Sequence, residues 1–286
     1  MEITISKSNL SATISSKGAE LKSLSNSQTK REYIWNGNPE FWGKHSPILF
    51  PIVGTLKNNS YSYNDKNYEL PRHGFARDLN FELIYKSDCE AIFSLKSYDE
   101  TLKKYPFNFE LQLIYTLSES YLTVCYKVFN ENQFEMPFSI GGHPAFALNN
   151  NFDNYSLQFE NDEVIECYLL ENDLLSQKTL KIELKEKNLP LSYSLFKNDA
   201  LVFKQLNSKK ISLLENDKPI LDFSFNDFPN FGIWTKQNAP FICLEPWLGY
   251  ADTTISNGNI LKKEGIYLLQ PGCQKTAEFS IDVLKI

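Results

Sequence analysis

Three short segments of this chain place a titratable side chain beside glycine or proline in an otherwise apolar setting. They are residues 71–77 (PRHGFAR), 141–146 (GGHPAF) and 244–249 (LEPWLG), and two of them hold one of only three histidines in the sequence. An imidazole and a carboxylate on opposite sides of a pocket can remove one proton from a ligand and deliver another. These residue types therefore indicate proton-transfer chemistry at a bound ligand.

Each candidate also has a purely structural interpretation. His143 could be a core histidine bonded to a neighbouring carbonyl, and His73 could be a loop residue next to a turn glycine. Glu245 could end an edge strand, but residues 242–244 and Trp247 surround it with apolar side chains. A solvated glutamate is disfavoured in such surroundings. The functional interpretation is therefore stronger for Glu245 than for either histidine.

Metal and nucleophile chemistry fit the sequence poorly. The two histidines and Glu245 lie far apart along the chain, without the close spacing of helical zinc motifs. The sequence also has no G-x-S-x-G segment of the kind that carries a hydrolase nucleophile. We therefore predict neither a metal site nor a cofactor.

Five scattered cysteines without C-x-x-C spacing are predicted to be reduced and mostly buried thiols: Cys89, Cys125, Cys167, Cys243 and Cys273.

The overall composition narrows the class of protein and of partner. Hydrophobic residues make up 42% of the 286 residues and charged residues 22%, which is typical of a folded globular protein with a sizeable core. A net charge of -6 argues against nucleic acid or an anionic membrane as the main partner and favours a small ligand. The N-terminal residues do not resemble a signal peptide, and no segment has the ~20 apolar residues of a membrane span. A cytoplasmic location is expected.

Alternating apolar and polar residues predict a succession of short antiparallel strands. Such alternation is clearest at residues 109–117 and 122–128, which we predict to form a hairpin. Helical periodicity is scarce, with one candidate turn of helix at 99–105 and an ambiguous stretch at 166–176. We therefore predict an all-β fold, a large antiparallel β-sandwich, in a single domain spanning residues 1–286. Further strands are predicted at 61–70 (a hairpin), 81–85 paired with 91–95, and 277–283.

The three motifs, taken together and in this order, resemble those of the aldose 1-epimerase superfamily, the galactose mutarotases. They are RHGFAR at 72–77, GGHPAF at 141–146 and LEPW at 244–247, and SSKGAELKSL at 15–24 is similar to the family's opening strand pair. The resemblance covers nearly the whole chain and is closest to the bacterial mutarotase-like branch encoded with sugar-utilisation genes. It implies a galactose mutarotase-like supersandwich that interconverts the α and β anomers of a hexose.

The resemblance also implies roles for individual residues. Glu245 would be the general base that takes the proton from the anomeric hydroxyl, and His143 the general acid that protonates the ring oxygen. His73 matches a histidine that hydrogen-bonds the sugar. Asp199, within KNDALVF at 197–203, resembles an aspartate that holds sugar hydroxyls. No cofactor is implied by this chemistry.

The arginines leave the phosphorylation state of the sugar open. The family's early arginine-bearing segment corresponds here to residues 50–59 (FPIVGTLKNN), which contain none. Arg72 could supply the missing guanidinium or could instead pair with a structural carboxylate. Arg77 resembles an arginine of the hexose-6-phosphate branch, so a hexose-6-phosphate 1-epimerase is an alternative. Three more residues that could be cationic lie in nearby segments: Lys44, His45 and Lys57.

Other expectations concern the shape of the pocket and the class of protein. Trp247 could offer a flat face to the sugar or belong to the core, and Phe75 and Phe146 are expected in the pocket wall. The glycines before His143 are expected to let the sugar lie against the strand. A non-catalytic carbohydrate-binding or sensing protein is a further alternative, disfavoured because a binder needs neither an acid nor a base. Both a monomer and a homodimer are compatible with the sequence.

Overall fold

Strands dominate the computed structural model, which describes residues 1–283. One short helix, α1 (Asp99–Leu102), confirms the predicted turn of helix, and five 3-10 turns occur at Lys57–Asn59, Ala76–Asp78, Phe152–Asn154, Tyr193–Phe196 and Ile260–Lys262. The strands in chain order are β1 (Glu2–Lys7), β2 (Leu10–Ser15), β3 (Leu21–Asn26), β4 (Arg31–Glu32), β5 (Ile48–Leu49), β6 (Ser60–Tyr63), β7 (Lys66–Glu69), β8 (Glu82–Lys86), β9 (Glu90–Lys96), β10 (Phe109–Leu117), β11 (Tyr121–Asn130), β12 (Met136–Phe138), β13 (Ile140–Gly142), β14 (Ala145–Ala147), β15 (Tyr155–Phe159), β16 (Val164–Glu171), β17 (Leu174–Glu183), β18 (Asn188–Pro190), β19 (Leu201–Phe203), β20 (Lys210–Glu215), β21 (Lys218–Ser224), β22 (Asn230–Trp234), β23 (Phe241–Leu248), β24 (Tyr267–Leu269) and β25 (Gln274–Val283).

A nine-stranded antiparallel sheet forms one layer of the molecule, in the order β18-β15-β20-β21-β25-β11-β10-β9-β8. The alternation read from the sequence is visible in β10, where every second residue from Phe109 to Leu117 is buried. The predicted hairpin is confirmed, because Phe109 pairs with Asn130 and Leu117 with Leu122. The predicted pairing of β8 with β9, the 61–70 hairpin (β6 and β7) and the strand at 277–283 (in β25) are confirmed too.

An eight-stranded sheet forms the second layer and carries the candidate site. Its main path is β17-β16-β19-β22-β23-β13-β5, and β14 also pairs with β23. The stretch at 166–176, ambiguous in sequence, belongs to the β16–β17 hairpin. Smaller pairings complete the fold: a four-stranded sheet β1-β2-β3-β4 and the pairs β6-β7 and β12-β24.

The two large sheets pack face to face, which confirms the predicted β-sandwich. Phe223 of the nine-stranded sheet lies with its ring 5.8 Å from that of Phe146 and 6.1 Å from that of Phe231, both on the other layer. These side chains are almost fully buried and belong to one apolar core that extends through both layers. The prediction of a single domain for residues 1–286 stays a prediction, and its last three residues lie outside the described part of the chain.

Within residues 1–283 no helix has the length and apolar character needed to cross a membrane. The five cysteines are all free thiols; Cys125, Cys167 and Cys243 are buried, Cys89 is partly buried and Cys273 is exposed.

Candidate active site

The side chains of the central strand β23 point alternately into the core and towards a pocket. Ile242 and Leu244 point into the apolar core between the sheets. Because side chains alternate along a strand, Cys243, Glu245 and Trp247 share the opposite face. On this face lies a cavity of about 380 Å³, within the size range of small-ligand sites. The strand therefore presents Glu245 to a pocket while its other face anchors the sandwich.

Glu245 and His143 meet at the floor of this cavity. The Nε2 atom of His143 lies 3.3 Å from the Oε2 atom of Glu245, and both residues line the pocket. His143 follows directly on β13, which pairs with β23, and its backbone N–H donates to the carbonyl of Pro47 at 3.1 Å. Glu245 is 1% exposed and His143 8% exposed. Two residues separated by about a hundred positions are thus held in contact by the pairing of adjacent strands.

Burial moves the pKa values of this pair in opposite directions. Desolvation raises the pKa of Glu245 well above its usual range, with Asp199 adding to the rise and Arg72 opposing it. Desolvation lowers the pKa of His143 to about 3, and the nearby guanidinium groups of Arg77 and Arg72 contribute to the decrease. Burial therefore favours the uncharged form of both groups, with the exchangeable proton on Glu245 and a neutral imidazole on His143.

His73 enters the same pocket from the loop before the Ala76–Asp78 turn. The backbone N–H of Gly54 donates to its Nδ1 at 3.0 Å, and its own N–H donates to the carbonyl of Gly54 at 2.8 Å. Burial lowers the pKa of His73 well below its usual value, so the ring is neutral. Nδ1 accepts the shorter hydrogen bond, which assigns the ring proton to Nε2, but the Nε of Arg72 also lies 3.4 Å from Nε2. His73 can therefore donate to a ligand from Nε2 when the Arg72 side chain moves away, at 5.8 Å from His143 between ring centroids.

Arg72 is held between two carboxylates at the rim of the cavity. Its guanidinium lies 3.2 Å from Asp173 and 3.5 Å from Asp199. Asp173 sits in the two-residue turn of the β16–β17 hairpin, and Asp199 in the loop before β19. All three residues line the pocket. Both roles considered for Arg72 are therefore compatible with the structure, since it is paired with carboxylates and faces the ligand space.

The two other cationic side chains that line the pocket, Arg77 and Lys236, also have protein partners. Arg77 donates to the carbonyl of Arg72 at 2.8 Å and lies 3.7 Å from Asp78. Lys236 donates to the carbonyls of Glu40 and Phe41. Lys44, His45 and Lys57 do not line this cavity; for example, Lys44 pairs with Asp78 and Lys57 donates to the carbonyl of Thr254.

Aromatic side chains close the pocket on the side of His143. The ring of Trp42 lies 4.8 Å from the imidazole, tilted by 30°, and Trp234 lies 5.6 Å from it, nearly perpendicular. Phe41 and Trp247 also line the cavity. Trp247 is 5% exposed, so most of its surface packs against the sheet and only part of it faces the ligand space.

Two sequence-based expectations about the pocket wall are wrong. Phe75 and Phe146 do not line the cavity; Phe146 packs against Phe223 in the core, and Phe75 packs near Tyr105 and Phe109. Both rings lie on the core face, because the motif residues that flank the histidines must also hold the sandwich together.

The glycines before His143 serve packing instead of ligand approach. A Cβ on Gly141 would lie 2.5 Å from the ring of Trp247, and one on Gly142 would lie 2.7 Å from the hydroxyl of Tyr126. The first glycine makes room for the tryptophan beside Glu245, and the second lets the opposite sheet approach. The expectation that they accommodate the sugar is therefore corrected.

Several pocket residues were missed by sequence reasoning. Trp42, Trp234 and Asp173 lie outside the three motifs, although three of the chain's four tryptophans line the cavity. Cys243, predicted only as a buried thiol, does not line the cavity, but its position two residues before Glu245 places it on the same strand face. His143, Cys243 and Glu245 offer ligand atoms that all lie within 4.8 Å of one another, a set that could hold a metal ion.

The arrangement combines a buried proton-carrying pair, a neutral imidazole on His73 and polar groups at the rim. Such a pocket can transfer a proton between two oxygen atoms of one bound molecule. Carboxylates and a guanidinium at the rim suit a ligand with several hydroxyl groups, and the indole rings suit its apolar faces.

Comparison with known proteins identifies similar chains and folds. The family model described as aldose 1-epimerase matches residues 1–268. The chromosomal protein LacX of Lactococcus lactis subsp. lactis is 35% identical over 280 residues, covering 92% of each chain. The structure of a galactose mutarotase related enzyme from Lactobacillus acidophilus superposes with a TM-score of 0.94 at 34% identity, covering 100% of this chain and 98% of the other. A galactose mutarotase-like protein from Lactobacillus casei gives a TM-score of 0.93 at 32% identity, covering 99% and 100%.

Proposed function

The chain belongs to the aldose 1-epimerase family, and from this premise we propose that it interconverts the α and β anomers of an unphosphorylated hexose. The observation that carries the proposal is the buried contact of His143 with Glu245 at 3.3 Å. Ring opening requires a base within reach of the anomeric hydroxyl and an acid within reach of the ring oxygen. These two neighbouring side chains at the floor of a sugar-sized pocket can supply both, whereas a binding protein has no use for them.

Ring opening moves one proton onto the sugar and one off it. Glu245, as a carboxylate, takes the proton of the anomeric hydroxyl while the bond between C1 and the ring oxygen breaks. His143, as an imidazolium, gives its proton to the ring oxygen, and the donor on His73 orients that oxygen. Rotation about C1–C2 exposes the other face of the aldehyde, and closure with the two roles reversed gives the other anomer.

The resting protonation state fits this cycle. The neutral imidazole and carboxylic acid that burial favours are the state reached after ring opening. Transfer of the proton from Oε2 to Nε2 generates the ion pair that begins the next opening. Because the pair holds the same total charge in both states, a low-dielectric pocket can pass between them without taking up a proton from solvent.

The charges around the pocket favour a neutral sugar. Arg72 is already paired with Asp173 and Asp199, and Lys236 with two backbone carbonyls. A phosphate would have to displace these partners and face both carboxylates. Hydroxyl groups can instead donate to the free acceptor sites of the carboxylates. Arg77 favours the alternative of a hexose 6-phosphate, because its Nε has no hydrogen-bond partner.

Anomer exchange by NMR tests the proposal directly. We expect the protein to accelerate exchange of galactose or glucose, and Glu245→Gln and His143→Asn each to lose roughly 10²–10⁴-fold of that acceleration. Glucose 6-phosphate is the comparison substrate and is expected to exchange close to its spontaneous rate. Glu119→Gln, an exposed turn glutamate, is the control for a generic effect of removing a carboxylate.

Three outcomes would contradict parts of the proposal. Acceleration of glucose 6-phosphate alone would establish the phosphorylated alternative. Sugar-induced resonance shifts without acceleration of any sugar would show a binding protein. Full activity in both variants, each folded by circular dichroism, would show that His143 and Glu245 are not the proton-transfer groups.

A further inference from the structure

A thiol lies next to the proton-transfer pair without a part in its chemistry. Cys243 is fully buried on β23, two residues before Glu245 and on the same face of the strand. Its Sγ atom, an imidazole nitrogen of His143 and a carboxylate oxygen of Glu245 all lie within 4.8 Å of one another. The structure thus brings a sulfur, a nitrogen and an oxygen ligand together at one point.

Two of these side chains carry polar atoms that the described residues leave unsatisfied. The Nδ1 atom of His143 is buried without a hydrogen-bond partner, and the Oε2 atom of Glu245 has only its 3.3 Å contact with the Nε2 atom of His143, which does not have hydrogen-bond geometry. The side chains are 2% and 10% exposed respectively. A buried polar atom without a partner costs free energy, so a ligand that satisfies such atoms gains that free energy on binding.

The donor set has the chemistry of a thiophilic divalent cation. Cysteine, histidine and a carboxylate are the ligand types of zinc, which binds nitrogen and oxygen at about 2.0–2.1 Å and sulfur at about 2.3 Å. Two such ligands on a tetrahedral ion lie about 3.3 Å apart, close to the 3.3 Å between Nε2 and Oε2. His143 and Glu245 line the cavity, so an ion can reach them through it.

We propose that a thiophilic divalent cation of the zinc class binds to His143, Cys243 and Glu245 and reversibly blocks the pocket. The Cys243 thiol and the Glu245 carboxylic acid each release a proton to solvent as their bonds to the metal form, and no electrons are transferred. The bound ion occupies the two groups that exchange protons with the ligand, so binding of the ion and catalysis exclude each other. Ions that prefer oxygen ligands only, such as Mg²⁺ and Ca²⁺, do not bind there.

Metal binding can be measured without reference to activity. Cadmium serves as the probe, because a cadmium–thiolate bond has an ultraviolet charge-transfer band that neither partner has alone. We expect one equivalent of Cd²⁺ to produce this band in the wild type and Cys243→Ala to lose it, with the dissociation constant rising at least about tenfold. Cys167→Ala, which removes a buried thiol outside the pocket, is the matched control and should keep the band.

A second experiment measures whether the bound ion inhibits anomer exchange. Only this experiment depends on the proposed function. Micromolar Zn²⁺ should abolish anomer exchange in the wild type and in Cys167→Ala, and a chelator should restore it. Cys243→Ala and Cys243→Ser should lose most of the inhibition, with the rate of each variant compared with its own metal-free rate. Mg²⁺ at the same concentration should have no effect on any of the four proteins.

The outcomes separate this inference from the proposed function. A cadmium band that depends on Cys243, in a protein that accelerates no sugar, supports the metal site and contradicts the epimerase. An active protein whose cadmium band is unchanged in folded Cys243→Ala overturns the metal site and leaves the epimerase intact. The serine variant keeps the size of the side chain, so a folding defect of the alanine variant alone does not decide the matter.

Discussion

At the scale of single residues, the candidate site depends on the burial of Glu245 and His143, which disfavours the charged form of each side chain. Burial favours the protonated form of Glu245 and the neutral form of His143, because water is excluded from both. The same burial that prepares the pair for proton exchange costs stability, since the unfolded chain can ionise both groups freely. Burial of the two residues therefore lowers the stability of the fold while it favours proton exchange at the site.

The pH dependence of stability follows from these shifts. For Glu245, whose pKa is raised in the folded state, the unfolded chain loses its proton first, so stability falls as pH rises above about 4.3. For His143, whose pKa is lowered to about 3, the unfolded chain gains a proton first, so stability falls as pH decreases below about 6.5.

We accordingly predict that Glu245→Gln raises the free energy of unfolding at pH 7. Between pH 5 and pH 7 this free energy should rise more steeply with pH than in the wild type, because the lowered pKa values of His143 and His73 then act without the opposing effect of Glu245. Urea unfolding at the two pH values measures both quantities. Glu119→Gln, at an exposed site, should show the wild-type dependence. A glutamine variant less stable than the wild type at pH 7 would mean that Glu245 is ionised and stabilising in the folded protein.

Residues inside short motifs were predictable from the sequence, whereas residues outside them were not. His143 and Glu245 were expected to act together, and the structure places them in contact. Trp42 and Asp173 reach the pocket from loops whose paths depend on the whole sheet. No local spacing indicates such a position, because it results from tertiary packing.

At the scale of elements, the tip of the β16–β17 hairpin sets the charge of the pocket rim. Its turn residues Asn172 and Asp173 both have positive φ, as a tight two-residue hairpin turn requires. The backbone N–H of Leu175 donates to the carbonyl of Asp252 at 2.9 Å, which ties the hairpin to the chain that follows β23. The hairpin thereby holds Asp173 beside Arg72.

We predict that Asp173→Ala makes the pocket more favourable to anions. Arg72 would lose one of its two carboxylates, so binding of glucose 6-phosphate should tighten roughly 3–10-fold in an NMR titration. Because the pair is exposed, the free energy of unfolding should change by less than about 1 kcal/mol from its loss.

Asp217→Ala is the matched control for this change. Asp217 occupies the equivalent position in the β20–β21 turn, with a φ of 62° against 64° for Asp173, and it does not line the pocket. Both variants carry the same backbone strain, so a difference between them reports the pocket charge. Equal affinity for glucose 6-phosphate in the two variants would show that Asp173 does not influence anion binding.

The pairing of β22 with β23 sets the space beside Glu245. Gly232 lies directly opposite Glu245, and a Cβ there would lie 2.5 Å from the ring of Trp247. We predict that Gly232→Ala displaces Trp247, lowers stability by about 1–3 kcal/mol and slows anomer exchange. Tryptophan fluorescence, urea unfolding and NMR exchange measure the three effects.

Gly43→Ala provides the comparison for this prediction. A Cβ on Gly43 has its nearest neighbour at 3.9 Å, so it should be accepted without displacement although Trp42 is adjacent. Unchanged stability of Gly232→Ala would mean that the sheet relaxes around the added methyl group.

At the scale of the whole molecule, both large sheets combine strands from distant parts of the chain. In the nine-stranded sheet β25 lies between β21 and β11, and in the eight-stranded sheet β23 lies between β22 and β13. The sequence predicted many short strands and a sandwich, because alternation marks a strand with one buried face. It did not predict this order, because strand neighbours far apart in sequence are chosen by packing and not by local pattern.

This interleaving leads to a prediction about cooperativity. No single cut of the described chain separates the two sheets, so the protein should unfold in one transition in spite of its length. Phe223 is fully buried and contacts Phe146 and Phe231 across the layers. Phe223→Ala should therefore lower the free energy of unfolding by about 3–5 kcal/mol.

Two spectroscopic probes distinguish one cooperative unit from two. Trp234 and Trp247 lie on the eight-stranded sheet, and Trp35 and Trp42 pack against Phe241 of the same sheet. Tryptophan fluorescence therefore reports that layer, whereas far-ultraviolet circular dichroism reports all strands. In Phe223→Ala both signals should shift together to lower urea concentration, because the lost ring supports both layers. Phe134→Ala, at a 46% exposed site, should leave both midpoints nearly unchanged. If the fluorescence midpoint stayed in place while the dichroism midpoint moved, the layers would unfold separately and the single-domain prediction would be wrong.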